Sequence, residues 1–181
     1  MGDLVDGAAY LPESDRAAEI AQALDELYTA HVGRNNFYNE PSVTRRLVDL
    51  VGRYGHVPAQ VSRGYVHLII HVFLTNGHGV AWLADPLYKD LISRFDSGQA
   101  ATALRSFSHT IISSRLQYEL PRTKWVELLD LIEPKLTGRR DRALLASVRS
   151  FTGTPDQLMI DTAIKRQVDE LSTGRGTTDT I

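Results

Sequence analysis

The 181-residue chain has no cysteine. That excludes disulfides, thiol nucleophiles and cysteine-ligated zinc or iron–sulfur sites. It also lacks an apolar run long enough to cross a bilayer, which takes about 18 residues or more. The longest, Val66 to Leu74, is interrupted by His67 and His71. The first residues, Met1-Gly2-Asp3-Leu4-Val5-Asp6, carry acids where a signal peptide needs a basic and then an apolar stretch. Asp6 also stands where a myristoylation motif needs Ser or Thr. No phosphate-cradling glycine pattern occurs, since Gly77-His78-Gly79 lacks a third glycine and a preceding strand. There is no nucleophile elbow either; Ser106-Phe107-Ser108-His109 has no Gly-x-Ser-x-Gly context. Catalysis is therefore not expected, nor is any cofactor. A cytoplasmic protein without membrane attachment is.

Charge is present but unevenly spread. The formal net charge is −2. Residues 1–40 sum to −6, residues 41–120 to +3, residues 121–153 to +3 and residues 154–181 to −2. Arginine outnumbers lysine 16 to 4. The centre is mildly basic, short of the excess that a dedicated duplex-DNA binder carries.

Apolar residues recur at helical spacing throughout, and no alternating strand pattern is flanked by turn signals. The chain reads as all-α. Residues 1–12 form a flexible leader, 13–171 a single helical-repeat domain and 172–181 a disordered tail rich in Gly, Thr and Ser. A first helix is expected over 14–32, capped by Ser14, with Ile20, Ala23, Leu24 and Leu27 on its apolar face. Three helix pairs follow: 42–53 with 58–75, 86–95 with 99–117, and a helix from Pro121 to Pro134 with 139–151. The helix over 58–75 is apolar on most sides, as a buried central helix is. Leu87, Leu91, Ile92 and Phe95 repeat Val43, Leu47, Val48 and Val51 at an offset of 44 and are expected to point inward. A capping-box pattern at Thr154-Pro155-Asp156-Gln157 opens a last helix to Leu171.

An arginine, a small residue and an aromatic recur three times: Arg63-Gly64-Tyr65, Arg105-Ser106-Phe107 and Arg149-Ser150-Phe151. A period near 40 without strands is the signature of stacked helical hairpins. Leu104-Arg105 and Val148-Arg149, preceded by Asp96 and Asp141, resemble the second-helix Val-Arg pair and turn aspartate of the HEAT-repeat family across residues 41–153. The first copy departs from this, with Val61-Ser62-Arg63 and no preceding aspartate. The resemblance implies a short right-handed α-solenoid of antiparallel helix pairs, closed by N- and C-terminal capping helices. It also implies a concave face built from the second helices.

Tyr65, Phe107 and Phe151 are expected in core layers. The arginines either pair with aspartates as a stacking ladder or face a partner. The expected partner-binding set is Arg63, Arg105, Arg149, His67, His71 and His109. His67, His71 and His109 also suggest a three-histidine metal set, but no carboxylate adjoins them in sequence to orient a ring. No metal is expected. Glu127, Asp130 and Glu133 form an acidic stripe read as solvated. The function expected is a non-catalytic scaffold that binds an acidic or helical protein partner through the second-helix face, as a monomer or homodimer. The alternative is nucleic-acid binding through Arg45, Arg46, Arg139, Arg140 and Arg142 and the three repeat arginines, with Trp82 or Trp125 as stacking contacts. A variant of these readings lays the acidic first helix across the basic groove to control access.

Overall fold

A computed structural model describes residues 12–33, 39–75, 83–113 and 122–150. The expected last helix, the tail and Phe151 lie outside these. Among the described residues there are seven α-helices and no strand. They are α1 (Glu13–Val32), α2 (Glu40–Tyr54), α3 (Ala59–Thr75), α4 (Asp85–Ser93), α5 (Ser97–Ser113), α6 (Arg122–Ile132) and α7 (Arg139–Arg149). A 3₁₀ turn, Glu133–Lys135, extends α6 where Pro134 removes a backbone donor. The chain divides between Arg94 and Phe95 into two compact units.

In the first unit α1 packs on α2 and α3, and α4 packs on the same two helices. The expected pairing of α2 with α3 is thereby corrected: the main hairpins are α1–α2 and α3–α4, stacked like upon like. A 44-residue period is unchanged whether the repeat is counted from α1 or from α2, so spacing alone could not choose. The first helix is consequently half of a hairpin and not a cover over a groove. Its Ile20, Ala23 and Leu27 are fully buried, because four apolar positions at helical spacing need a partner surface on both neighbours. Polar bonds align the pair. Arg46 donates to both Glu26 oxygens at 2.7 and 3.3 Å, the Tyr54 hydroxyl bonds Glu19, and the Arg16 guanidinium lies over the Tyr54 ring at 5.6 Å.

Helix α3 buries Tyr65, Val66, Ile69, Ile70, Val72, Phe73 and Leu74, in keeping with a pattern that is apolar on most sides. Helix α4 turns Tyr88, Leu91 and Ile92 inward, with Leu87 only half-buried. The positions 88, 91 and 92 share one helical phase, which Leu87 misses by one residue. Ser14 does not cap α1. Pro12 holds the N-cap position, and the Ser14 hydroxyl reaches only toward Asp15. At the end of α2, Gly55 adopts φ 72° and returns its N–H to Val51 O at 3.0 Å, the left-handed stop that glycine takes without a Cβ clash.

In the second unit α5 packs on both α6 and α7. Its start is a capping box: Gln99 N donates to Asp96 Oδ1 at 2.8 Å, and Asp96 N donates to Gln99 Oε1 at 3.0 Å. Phe107 is fully buried and meets the Trp125 ring edge-on at 5.6 Å. Trp125 is buried too, so it is not placed to stack on a nucleobase; Trp82 lies outside the described residues. Val126, expected on the apolar face of α6, is 49% exposed, while Leu128, Leu129 and Ile132 are buried.

Candidate functional site

The three arginines of the repeat meet different fates. Arg105 on α5 donates to Asp141 on α7 at 2.7 Å. Gly138 leaves room for this carboxylate, since a Cβ there would lie 2.7 Å from Asp141 Oδ2. Arg149, at the end of α7, donates to Asp130 at 2.7 Å and to Glu133 at 2.6 Å. Those bonds, Asp130 first, hold its guanidinium above the ordinary arginine value. The stripe expected to be merely solvated therefore supplies two counter-ions. Asp141 does serve an arginine, that of the preceding copy. Asp96 instead caps α5.

Arg63 is different. It is exposed on α3 and meets no carboxylate among the described residues. His67 and His71 follow at one-turn steps and are likewise exposed, so the three form a row along one face. Desolvation and then the Arg63 charge lower the His67 pKa; desolvation and then His31 lower that of His71. His109 lies on α5 in the second unit, where it is exposed. Of the arginines expected to hold a nucleic acid, Arg45, Arg139 and Arg140 are exposed. Arg46 is engaged by Glu26, and Arg142 Nε donates to Leu136 O at 3.2 Å.

Sequence reading missed a second cluster, at the end of the first unit where α1 and α3 finish and α2 and α4 begin. Glu40 is only 1% exposed. Its Oε1 accepts from the Tyr88 hydroxyl, and its Oε2 lies 3.3 Å from His31 Nδ1. His31 Nε2 is 2.9 Å from Thr75 Oγ1, which in turn donates to His71 O at 2.7 Å. The Thr44 hydroxyl sits 2.7 Å from Glu40 O and 3.3 Å from the Tyr88 hydroxyl. All four helices contribute. Tyr88 is fully buried; burial first, and then the bond to Glu40, raise its pKa, so it remains a donor. The signal in the sequence was faint: His31 and Thr75, like Thr44 and Tyr88, are separated by the repeat offset of 44.

A buried carboxylate that loses a donor is costly. Tyr88→Phe keeps the ring's volume and removes the bond, so it should lower stability by about 1.5–3 kcal/mol, the range for hydrogen bonds to charged groups. Urea denaturation reads this directly; a loss under about 0.5 kcal/mol, the low end for any hydrogen bond, would show that Glu40 does not depend on Tyr88.

Among the described residues no three or more His, Asp or Glu side chains are grouped to hold a metal ion, and no helix is long and apolar enough to cross a membrane. Comparison with protein families, curated proteins and solved structures finds no match for the chain.

Proposed function

We propose that the chain is a non-catalytic interaction module: a short α-solenoid of HEAT-like hairpins that holds an acidic or helical protein partner on the exposed face of α3. The stacking of α1–α2 on α3–α4 supports the solenoid part, with the repeat counted from α1. The observation that carries the binding part is the contrast between arginines. Arg105 and Arg149 hold carboxylates of their own unit. Among the described residues Arg63 is exposed without one, at the head of the row with His67 and His71. Its planar fork suits a carboxylate supplied from outside. Arg105, Arg149 and their acids then serve as stacking ties, which as exposed pairs contribute at most about 1 kcal/mol each. The module acts in the cytoplasm as a monomer or homodimer.

The exposed Arg45, Arg139 and Arg140 favour nucleic acid as the second reading. Capture from native lysate with and without nuclease separates the two. The scaffold reading expects a protein recovered equally in both arms. Recovery that collapses with nuclease and falls steeply with salt would replace it with phosphate-backbone binding.

A further inference from the structure

Three contacts run in line across the ends of α1 and α3 and the start of α2, and each needs one hydrogen. His31 Nδ1 faces Glu40 Oε2 at 3.3 Å, His31 Nε2 faces Thr75 Oγ1 at 2.9 Å, and Thr75 Oγ1 reaches His71 O at 2.7 Å. A backbone carbonyl and a carboxylate only accept, so none of these hydrogens comes from His71 O or Glu40. Thr75 brings one and a neutral imidazole brings one, which leaves the row a hydrogen short. An imidazolium, with an N–H on both ring nitrogens, completes it. A protonated Glu40 would fill the same contacts, but imidazole is the stronger base by about a hundredfold. Glu40 Oε1 also accepts from the Tyr88 hydroxyl, and that bond favours the carboxylate. Glu40 is buried, where an ionised carboxylate requires a paired charge.

We propose that His31 is held as an imidazolium against the Glu40 carboxylate, so that one ring proton latches α1, α2 and α3 together and makes the first unit pH-sensitive. When that proton leaves, one of the three contacts has to open. The other titratable or charged groups around the pair are His71 on α3 and Tyr88 and Asp85 on α4. His71 lies edge-on to His31, with ring centroids 5.8 Å apart. Desolvation and then the His31 charge lower its pKa, so it stays neutral where His31 is charged. Tyr88 keeps its proton, and Asp85, which bears on Tyr88, is paired with Lys89 at 3.9 Å. The folded unit thus carries a proton that an unfolded chain gives up above about pH 6.5, the ordinary histidine value. Stability falls as pH rises beyond that point, by up to about tenfold in the unfolding equilibrium constant per pH unit. The lowered values of His67 and His71 act in the opposite sense, and only below the same point. None of this depends on what the exposed face of α3 binds.

The test is a pH titration of the full chain with ¹⁵N-labelled histidine, followed by long-range ¹H–¹⁵N spectra. At about pH 7.5, a unit above the ordinary histidine value, His31 should show a proton on both ring nitrogens while His67 and His71 are neutral. Thr75→Val removes the acceptor at Nε2 with little change of volume. It should weaken the hold on the His31 proton roughly tenfold to a hundredfold, as expected for a lost hydrogen bond to a charged group. Glu40→Gln should leave His31 neutral at the same pH. Urea denaturation, read from the amide resonances of α1 to α4, should show wild-type stability falling with pH and a flatter profile in Thr75→Val. Where Glu40→Gln does not fold, Thr75→Val decides by itself. The proposal is overturned if His31 is neutral at that pH in wild type. It is equally overturned if His31 holds its proton unchanged in Thr75→Val, or if wild-type stability does not fall above the histidine range.

Discussion

A chain lacking residues 1–36 should fail to fold its first unit, losing the helical signal and cooperative transition of α2, α3 and α4. The deletion removes Ile20, Leu24 and Leu27, all buried. Burying an aliphatic side chain of this size contributes about 1.5–3 kcal/mol, so the three together approach the whole stability of a typical domain, about 5–15 kcal/mol. The loss does not stop there. Faces of α2 and α3 that pack on α1 become exposed to water, and Glu40 is left buried without His31. If α1 were instead a movable cover, the truncated protein would stay folded and bind its partner more strongly. Circular dichroism with a thermal melt distinguishes the two outcomes, and the buried face of α1 decides for the first.

Phe107→Ala should cost about 3–5 kcal/mol, the range for emptying a fully buried aromatic site. Phe107 has no exposed surface and packs edge-on against Trp125 on α6. Truncation removes both the transferred area and the ring contact, and α5 is the helix on which α6 and α7 both rest. A cavity there weakens two packing partners at once. Urea denaturation monitored by tryptophan fluorescence reads the effect. A variant within about 1 kcal/mol of wild type would mean that the second unit collapses into the space, since the cost at fixed chemistry depends on how well a site can close.

The legible part of this fold was the part carried by local periodicity. The all-α class, the apolar α3, and Tyr65 and Phe107 as core residues follow from spacing within single helices, and each holds in the structure. Errors of one residue in helical phase put Leu87 and Val126 on the wrong side, because two adjacent apolar residues offer competing phases. Pairing was not legible: a period fixes the distance between equivalent helices but not which neighbour each helix packs against. Polar partners were the least visible. Glu40 finds His31 and Tyr88 at separations of 9 and 48 residues, and Arg149 finds Asp130 and Glu133 at 19 and 16. No short motif spans such distances. The Asp96–Gln99 cap is present as a D-x-x-Q pattern, but the resemblance to HEAT repeats assigns Asp96 to a turn.

The contrast between committed and uncommitted arginines is the centre of the functional reading, and one comparison tests it most directly. Equilibrium binding of the captured partner would be measured for wild type, Arg63→Glu and Arg149→Gln, each verified as folded by circular dichroism. The account predicts that Arg63→Glu loses the partner, while Arg149→Gln, whose side chain is already held by Asp130 and Glu133, binds as wild type. Normal binding by Arg63→Glu together with loss in Arg149→Gln would contradict it.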